Sequence, residues 1–157
     1  MTMSLRLLEY LEWKGVDYEL VHHAFVTGSL RTAAKAHIPG RQFAKPVMLK
    51  DDLGFLMAVV PASHKLDIEQ LNRELNRKLR LATEKEIEKL FDDCSKGAIP
   101  PIAEAYGYDA VVDESLEASS DVYFEAGDHA ELVHVSGDDF RYMMHGARHG
   151  HFSHPAQ

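Results

Sequence analysis

The segment from Gly97 to Pro101, with the sequence GAIPP, is well suited to bind an acyl or phosphate oxygen through its backbone. Proline fixes φ and has no N–H, whereas glycine permits positive φ and a close approach of the backbone. We therefore expect a stiff loop in which the N–H groups of Gly97, Ala98 and Ile99 face a ligand. Gly and Pro are also the commonest residues of ordinary loops, so a purely structural loop is the competing interpretation.

Lys45 is the second residue whose position suggests chemistry. It precedes Pro46, which favours extended backbone geometry for Lys45, at the start of the apolar run KPVMLK. An ammonium group held at the end of a strand can meet a phosphate or a developing oxyanion as a point charge. The alternative is a surface lysine whose aliphatic stem covers apolar surface.

The chain has ten histidines, and none of them forms an HExxH or comparable metal-ligand pattern. His22 and His23 are adjacent in a predicted strand and therefore point to opposite faces, which prevents them from sharing a metal. His129 and His134 flank a predicted turn, so one hairpin could bring both to a site. The alternative for each is a structural or surface histidine. We assign no metal and no cofactor.

Other catalytic signatures are missing from the sequence. It contains no GxSxG elbow, no Walker loop and no Rossmann fingerprint. Cys94, the single cysteine, has no convincing base nearby in sequence and is interpreted as a small apolar filler. Hydrolysis through a covalent nucleophile is therefore unsupported. A lone cysteine cannot form an internal disulfide, which points to a reducing compartment.

Short helices and strands must position these residues. Three-and-four apolar spacing and capping residues predict helices, and alternating or continuous apolar runs predict strands. The predicted helices cover 5–13, 29–37, 68–79, 83–91 and 136–144, and the predicted strands cover 16–23, 45–50, 55–60, 110–113, 121–126 and 131–136. The segment DDLG is expected to close a hairpin between the second and third strands. Because the elements interleave without a strict βαβ rhythm, we predict a mixed α+β fold.

Composition indicates one domain. A chain of 157 residues with 45% hydrophobic and 27% charged residues has ordinary globular composition. No apolar run reaches the ~18 residues of a membrane span, so we expect a soluble, cytoplasmic protein that does not contact a membrane. The folded domain is expected to cover 1–144. Residues 145–157 are rich in histidine and poor in apolar residues, which predicts a frayed, flexible tail.

The formal net charge of −8 argues against DNA as a partner, but the charge is unevenly distributed. Residues 101–157 contain two Lys and Arg against eleven Asp and Glu, whereas residues 1–100 contain fifteen against fourteen. A local basic stretch comprises Arg73, Arg77, Lys78 and Arg80. It could contact a phosphate backbone, although a solvated helix face explains the same charges.

The ordered set of segments from about residue 18 to 140 resembles the YbaK/EbsC family, the freestanding relatives of the editing domain inserted in bacterial prolyl-tRNA synthetases. The segments that carry the resemblance are AKPVMLKDDLGFLMAVVPASHKLDIEQL, RLATEKEIEKLF, GAIPP, DAVVDESL and DVYFEAGDHAELVHVS. The resemblance implies a compact α+β domain with a mixed, barrel-like sheet. It also implies an aminoacyl-tRNA deacylase that acts in trans on tRNA carrying a wrong, small amino acid, with tRNA(Pro) as the expected tRNA.

The resemblance also implies site residues and partners. The essential lysine of the family falls on Lys45, and its GxxxP loop falls on Gly97 and Pro101. The spacing of seven between Gly127 and His134 matches a histidine of the inserted editing domains. The implied catalytic groups are Lys45 and the backbone of Gly97, Ala98 and Ile99. The implied substrate contacts are Lys45, Pro101, His129 and His134. The implied partners are the 3′ end of aminoacyl-tRNA and prolyl-tRNA synthetase or another synthetase.

The deacylase hypothesis requires Lys45 and the Gly97–Pro101 loop to face one cavity. A catalytically silent module that binds an aminoacyl or nucleotide ligand in the same groove is the main alternative, because function depends on the site rather than on the fold. The acidic last third of the chain favours that alternative, or dependence on a synthetase for tRNA. A metal hydrolase that uses the histidines is the third and weakest interpretation.

Overall fold

The computed structural model describes residues 3–23 and 29–156 as an α+β domain with ten strands and six helices. The helices are α1 Leu5–Lys14, α2 Ser29–Lys35, α3 Ile68–Leu75, α4 Glu84–Leu90, α5 Glu114–Glu117 and α6 Gly137–Met143. The strands are β1 Glu19–His22, β2 Ala44–Asp51, β3 Gly54–Pro61, β4 His64–Leu66, β5 Arg80–Leu81, β6 Asp109–Asp113, β7 Asp121–Glu125, β8 Glu131–Ser136, β9 Arg148–Gly150 and β10 Ser153–Pro155. No helix in these two ranges has the length and apolar character needed to cross a membrane.

The helices begin where capping residues satisfy their first N–H groups. The side chain of Asp67 accepts from the N–H of Gln70 at the start of α3, and Thr83 and Glu86 form a capping box at α4. The predicted extension of α3 to Leu79 is wrong. The helix ends at Leu75 and is capped by Asn76, which has φ of 54°. Leu79 lies in the segment that follows and packs in one apolar cluster with Leu71 of the helix.

The central sheet has five strands in the order β5-β2-β3-β6-β9. The hairpin predicted at DDLG is confirmed, since β2 and β3 pair antiparallel from Ala44 opposite Pro61 to Asp51 opposite Gly54. Strand β6 adds to β3 in parallel, and β9 adds to β6 in parallel, so the sheet is mixed. The fold class predicted from the sequence is therefore confirmed.

A three-stranded antiparallel sheet, in the order β1-β8-β7, packs beside the central one. An isolated parallel bridge between Phe43 and Tyr123 joins the residue before β2 to β7. The resemblance implied a mixed, barrel-like sheet, and the described strands form a mixed sheet and two smaller sheets that do not close into a barrel. The largest apolar cluster lies between the two sheets and includes Met57 of β3 and Phe124 of β7.

Two smaller clusters cover the outer faces of the sheets. One lies between the central sheet and α3, and it contains Leu49, Leu71 and Phe152. The other lies outside the three-stranded sheet, where Ala33 of α2 packs near Phe43. Successive side chains of β2 therefore alternate between different clusters. This alternation decides which way the candidate site residues of β2 point.

The C-terminal segment differs from the predicted frayed tail. Residues 148–150 form β9 beside β6, and residues 153–155 form β10, which pairs antiparallel with β4. Phe152 is 1% exposed, and its N–H donates to the carboxylate of Asp113 at 2.9 Å. Burying one phenyl ring stabilises the fold by about 2–3 kcal/mol. This burial holds the segment against the domain although the neighbouring histidines are exposed. A single apolar residue in a polar segment gave too weak a pattern to predict this strand.

Candidate active site

Lys45 lies in β2 and is half-buried on the outer face of the central sheet. Ala44 and Met48 face the cluster between the sheets, whereas Val47 and Leu49 pack against the α3 cluster, so Lys45 shares the α3 side. Its Nζ donates to the backbone carbonyl of His64 at 3.1 Å. Burial lowers the pKa of Lys45, and no carboxylate of residues 3–23 or 29–156 offsets that effect. The ammonium group is therefore partly desolvated and lacks a counter-ion there, which suits it to attract an anionic oxygen.

The Gly97–Pro101 loop has the rigid backbone expected of it. Gly97 adopts φ of 80°, and both prolines are buried. One part of the prediction is wrong, because the N–H of Ala98 already donates to the carbonyl of Ser95 at 3.0 Å. The N–H groups of Gly97 and Ile99 find no acceptor among the described residues. Two amides of this loop, rather than three, are thus open to a ligand.

His129 connects this loop to β7. It has φ of 63°, is 3% exposed, and directs Nε2 to the carbonyl of Lys96. A Cβ atom at Gly97 would lie 3.3 Å from Cε1 of His129. His129 therefore supports the loop from behind, as a buried residue.

Glu125 is a buried carboxyl group that the sequence analysis missed. It lies at the end of β7, 3.3 Å from Nδ1 of His129 and 3.6 Å from Nε2 of His23. Burial, followed by the nearby charge of Asp128, raises the pKa of Glu125 to about 8. The spacing of four between Glu125 and His129 across a glycine-containing turn is the only sequence signal that could have indicated the pair.

His134 makes a separate set of contacts on β8. Its Nε2 lies 2.8 Å from Asp121 Oδ1, its Nδ1 lies 3.4 Å from Glu19 Oε2, and its ring stacks on Tyr123 at 4.4 Å between centroids. His129 lies in the turn before β8 and His134 lies within β8, and they share none of these contacts. The structure therefore does not bring the two histidines together at one point.

A cavity of about 330 Å³ lies beside the loop and is lined by residues that include Phe91, Cys94, Gly97 and Ile99. Lys45 does not line this cavity. The cavity therefore does not fulfil the expectation that Lys45 and the loop face the same space. Burial raises the pKa of the Cys94 thiol to about 12. The thiol is therefore protonated at neutral pH, which agrees with the interpretation of Cys94 as an unreactive filler.

The second half of β7, from Tyr123 to Glu125, provides the structural link between Lys45 and the loop. The parallel bridge joins Phe43 to Tyr123, and Lys45 and Glu125 each follow two residues later on their strands. Glu125 contacts His129, which in turn supports Gly97. Lys45 is thus connected to the loop indirectly, through β7 and His129, and does not contact it in the described residues.

The basic stretch is less available to a phosphate backbone than its sequence suggests. Arg77 pairs with Asp51 at 2.5 Å, and Arg80 lies 3.3 Å from Glu86. Arg73 and Lys78 are exposed. Two of the four cations are therefore already neutralised by neighbouring carboxylates.

Comparison with known proteins assigns the family. The aminoacyl-tRNA editing domain family matches residues 25–143, a range that contains Lys45, the Gly97–Pro101 loop, His129 and His134. The match covers well over half of the chain, and the chain belongs to this family. None of the curated proteins is significantly similar to it.

Solved structures share the fold at low sequence identity. A protein described as a candidate trans-editing enzyme for prolyl-tRNA synthetase superposes with a TM-score of 0.82 at 21% identity, over 95% of each chain. A hypothetical protein superposes with a TM-score of 0.83 at 20% identity, over 95% of this chain and 99% of that one. A candidate signal transduction protein from Marinobacter aquaeolei VT8 gives 0.79 at 21% identity, over 97% of this chain but 31% of the longer one. These likenesses establish the fold.

Proposed function

We propose that this protein hydrolyses the ester bond that joins a wrong, small amino acid to tRNA, with tRNA(Pro) as the expected tRNA, and that it acts in trans. The family match supports an editing role. The observation that carries the proposal is the ammonium group of Lys45, which is half-buried and bound to a backbone carbonyl rather than to a carboxylate. A charge held in this way interacts more strongly with a developing oxyanion than it would in water.

The proposed chemistry needs little more than positioning. An aminoacyl ester is already activated, so a placed cation, oriented amides and restricted water access are sufficient to accelerate its hydrolysis. Because Lys45 does not line the cavity beside the loop, the proposal requires the 3′ end of the tRNA to extend from one to the other. Lys45 holds the terminal phosphate or the acyl oxygen, and the free N–H groups of Gly97 and Ile99 orient the ester carbonyl. Pro101 stiffens the loop, and His129 supports it. Water performs the attack, either alone or assisted by the ribose hydroxyl.

Amino acid selection is assigned to the size of the acyl pocket. One methylene group in an apolar pocket is worth only about 1–3 kcal/mol, so discrimination by size alone is modest. Alanyl and cysteinyl esters of tRNA(Pro) are both compatible with this proposal. His134 remains a proposed substrate contact through its position on β8.

The proposed partners follow from the substrate and from the charge. The protein binds the 3′ end of aminoacyl-tRNA, and we place this activity in the cytoplasm. Because residues 101–157 are strongly acidic and part of the basic stretch is paired internally, binding of the tRNA body is expected to be weak. Prolyl-tRNA synthetase or another synthetase is therefore the proposed source of bound tRNA.

A deacylation panel tests the proposal. Several mischarged tRNAs are incubated with the wild type, Lys45→Ala and Lys65→Ala, with and without added synthetase, and loss of the ester is followed over time. Lys65 is an exposed lysine of the adjoining β4 and provides the matched control. We expect Lys45→Ala to lose about 10²–10³-fold in rate and Lys65→Ala to lose little.

Two outcomes would contradict the proposal. The first is equal activity of Lys45→Ala and the wild type on every tRNA that is hydrolysed. The second is activity on no substrate with or without synthetase, which would favour the silent module that binds an aminoacyl or nucleotide ligand.

A further inference from the structure

The C-terminal strand brings a second group of polar side chains to Lys45. Strand β10 pairs with β4, with Ser153 opposite Leu66 and Pro155 opposite His64. Nδ1 of His64 lies 2.9 Å from Oγ of Ser153, and the Ser153 hydroxyl is close enough to the carboxylate of Asp113 to lower its pKa. Ser153 and Asp113 are fully buried, whereas His64 is partly accessible. The three side chains form a chain that begins in the core and ends at the imidazole ring.

The direction of these hydrogen bonds determines which nitrogen of His64 carries the proton. Asp113 already accepts from the N–H of Phe152 and from Ser115, and several hydrogen bonds lower its pKa against the effect of burial. As a carboxylate it can only accept, so the Ser153 hydroxyl donates to it. Oγ of Ser153 is then left to accept, and Nδ1–H of His64 donates to it. This arrangement leaves the lone pair on Nε2, for which the described residues provide no donor.

Burial favours the neutral form of the His64 ring. Burial lowers the pKa of His64, and the neighbouring charges of His154, His151 and Lys45 lower it further, whereas Asp113 of β6 raises it. Lys45 of β2 is adjacent, since its Nζ binds the backbone carbonyl of the same residue. A neutral imidazole therefore lies beside a partly buried ammonium group. A base and a cation placed together in this way are suited to the two charges that develop during ester hydrolysis.

We propose that His64, oriented by Ser153 and Asp113, is the general base of the deacylation site beside Lys45; this inference rests on the proposed function. Nε2 takes a proton from the attacking water while the water oxygen forms a bond to the ester carbonyl carbon. The bond between that carbon and the ribose oxygen then breaks, and the proton on Nε2 passes to the departing ribose oxygen. The products are the free amino acid and a tRNA with an intact terminal hydroxyl. Lys45 stabilises the negative charge that develops on the carbonyl oxygen.

Substitution of the imidazole tests this role. We expect His64→Gln to lower kcat on the best substrate of the panel by about 10²-fold or more, with little change in KM, because base catalysis contributes about 10²–10⁴-fold. His145→Gln is the control, since His145 is an exposed histidine distant in sequence from β4. Added imidazole should restore part of the activity of His64→Ala. A purely structural role of the ring would not produce this rescue.

The pH dependence supplies a second readout. The wild-type kcat/KM should fall on the acid side as His64 becomes protonated, with a midpoint below the ordinary imidazole value of 6.5. The residual activity of His64→Gln should lack this acid limb. Ser153→Ala should retain the base but release its orientation, which gives a smaller loss of kcat than His64→Gln. The Ser153→Ala variant also tests the proposal if the His64 variants fold poorly, because it leaves His64 in place.

The outcomes separate this inference from the proposed function. If the wild type is active and Lys45→Ala is not, but His64→Gln keeps kcat within about twofold of the wild type with the same acid limb, His64 is not the base and only this inference fails. If Ser153→Ala is as active as the wild type while folded His64 variants show no imidazole rescue, the inference fails as well. If the wild type hydrolyses no ester, both proposals fail.

Discussion

The carboxyl group of Glu125 lies 3.3 Å from Nδ1 of His129, and both side chains are almost completely buried. Because Nε2 of His129 is directed at the carbonyl of Lys96, which can only accept, Nε2 carries a proton. Nδ1 is therefore either an acceptor facing a protonated Glu125 or part of an imidazolium facing a carboxylate. In both states the pair holds one proton between two buried groups next to the Gly97–Pro101 loop.

This pair makes stability depend on pH. Since the pKa of Glu125 is raised to about 8 from 4.5, the folded state binds more protons than the unfolded state between these values, and stability falls as pH rises. We expect Glu125→Gln to flatten the decline between pH 5 and pH 8, because the amide can still donate to His129 but does not ionise. Between pH 5 and pH 8 the stability of the variant relative to the wild type should rise by about 3–4 kcal/mol.

Chemical denaturation at several pH values measures this effect. The carboxyl group of Glu125 also faces His23, which follows β1, and His129 and Asp128 of the turn. The test therefore compares the pH dependence of stability in the variant with that in the wild type. Parallel pH profiles of the wild type and Glu125→Gln would show that Glu125 does not hold its proton near neutrality.

The conformation of Gly97 leads to a second prediction. Gly97→Ala should cost about 1 kcal/mol through backbone strain at φ of 80° and should also slow deacylation, because the new Cβ would lie 3.3 Å from Cε1 of His129. Gly107→Ala is the matched control, since Gly107 has φ of 79° but no atom within 4 Å of the added Cβ. Thermal unfolding and initial rates measure both effects. Equal loss of activity in the two variants would exclude a specific role for the contact with His129.

The C-terminal strand is expected to be part of the folded core. Phe152→Ala should lower the free energy of unfolding by about 3 kcal/mol or more, because the ring is 1% exposed among apolar side chains. Leu53→Ala, at a leucine that is 82% exposed in the β2–β3 turn, should change it little. Denaturant titration compares the two. A Phe152→Ala variant as stable as Leu53→Ala would mean that residues 148–155 are not held as the structure shows.

The sequence predicted most of the fold because local signals coincide with the final structure. The capping residues Asp67, Thr83 and Ser136 each cap the helix predicted for them, and the DDLG turn closes its hairpin. The parallel pairing of β6 with β3 depends on long-range packing that no local pattern encodes. The fold class was therefore accessible from the sequence, whereas the strand order was not.

The candidate site was only partly predictable for the same reason. Lys45 and Gly97 could be singled out from the proline next to one and the glycine–proline pattern of the other. The hydrogen bond of Ala98, the burial of Glu125 and the approach of Ser153 to His64 arise from tertiary packing. The contact between Ser153 and His64 depends on β10, which lies in the segment that its composition predicted to be a frayed tail.

The central claim concerns the charge of Lys45, and single-turnover deacylation tests it most directly. Lys45→Met keeps the length and apolar stem of the side chain and removes its charge, and Lys65→Met is the control at an exposed lysine. With saturating protein over the best mischarged tRNA, we predict a rate constant about 10²-fold or more below the wild type for Lys45→Met and an unchanged one for Lys65→Met. A Lys45→Met rate constant within about twofold of the wild type, well short of the loss expected for a missing oxyanion donor, would contradict the account.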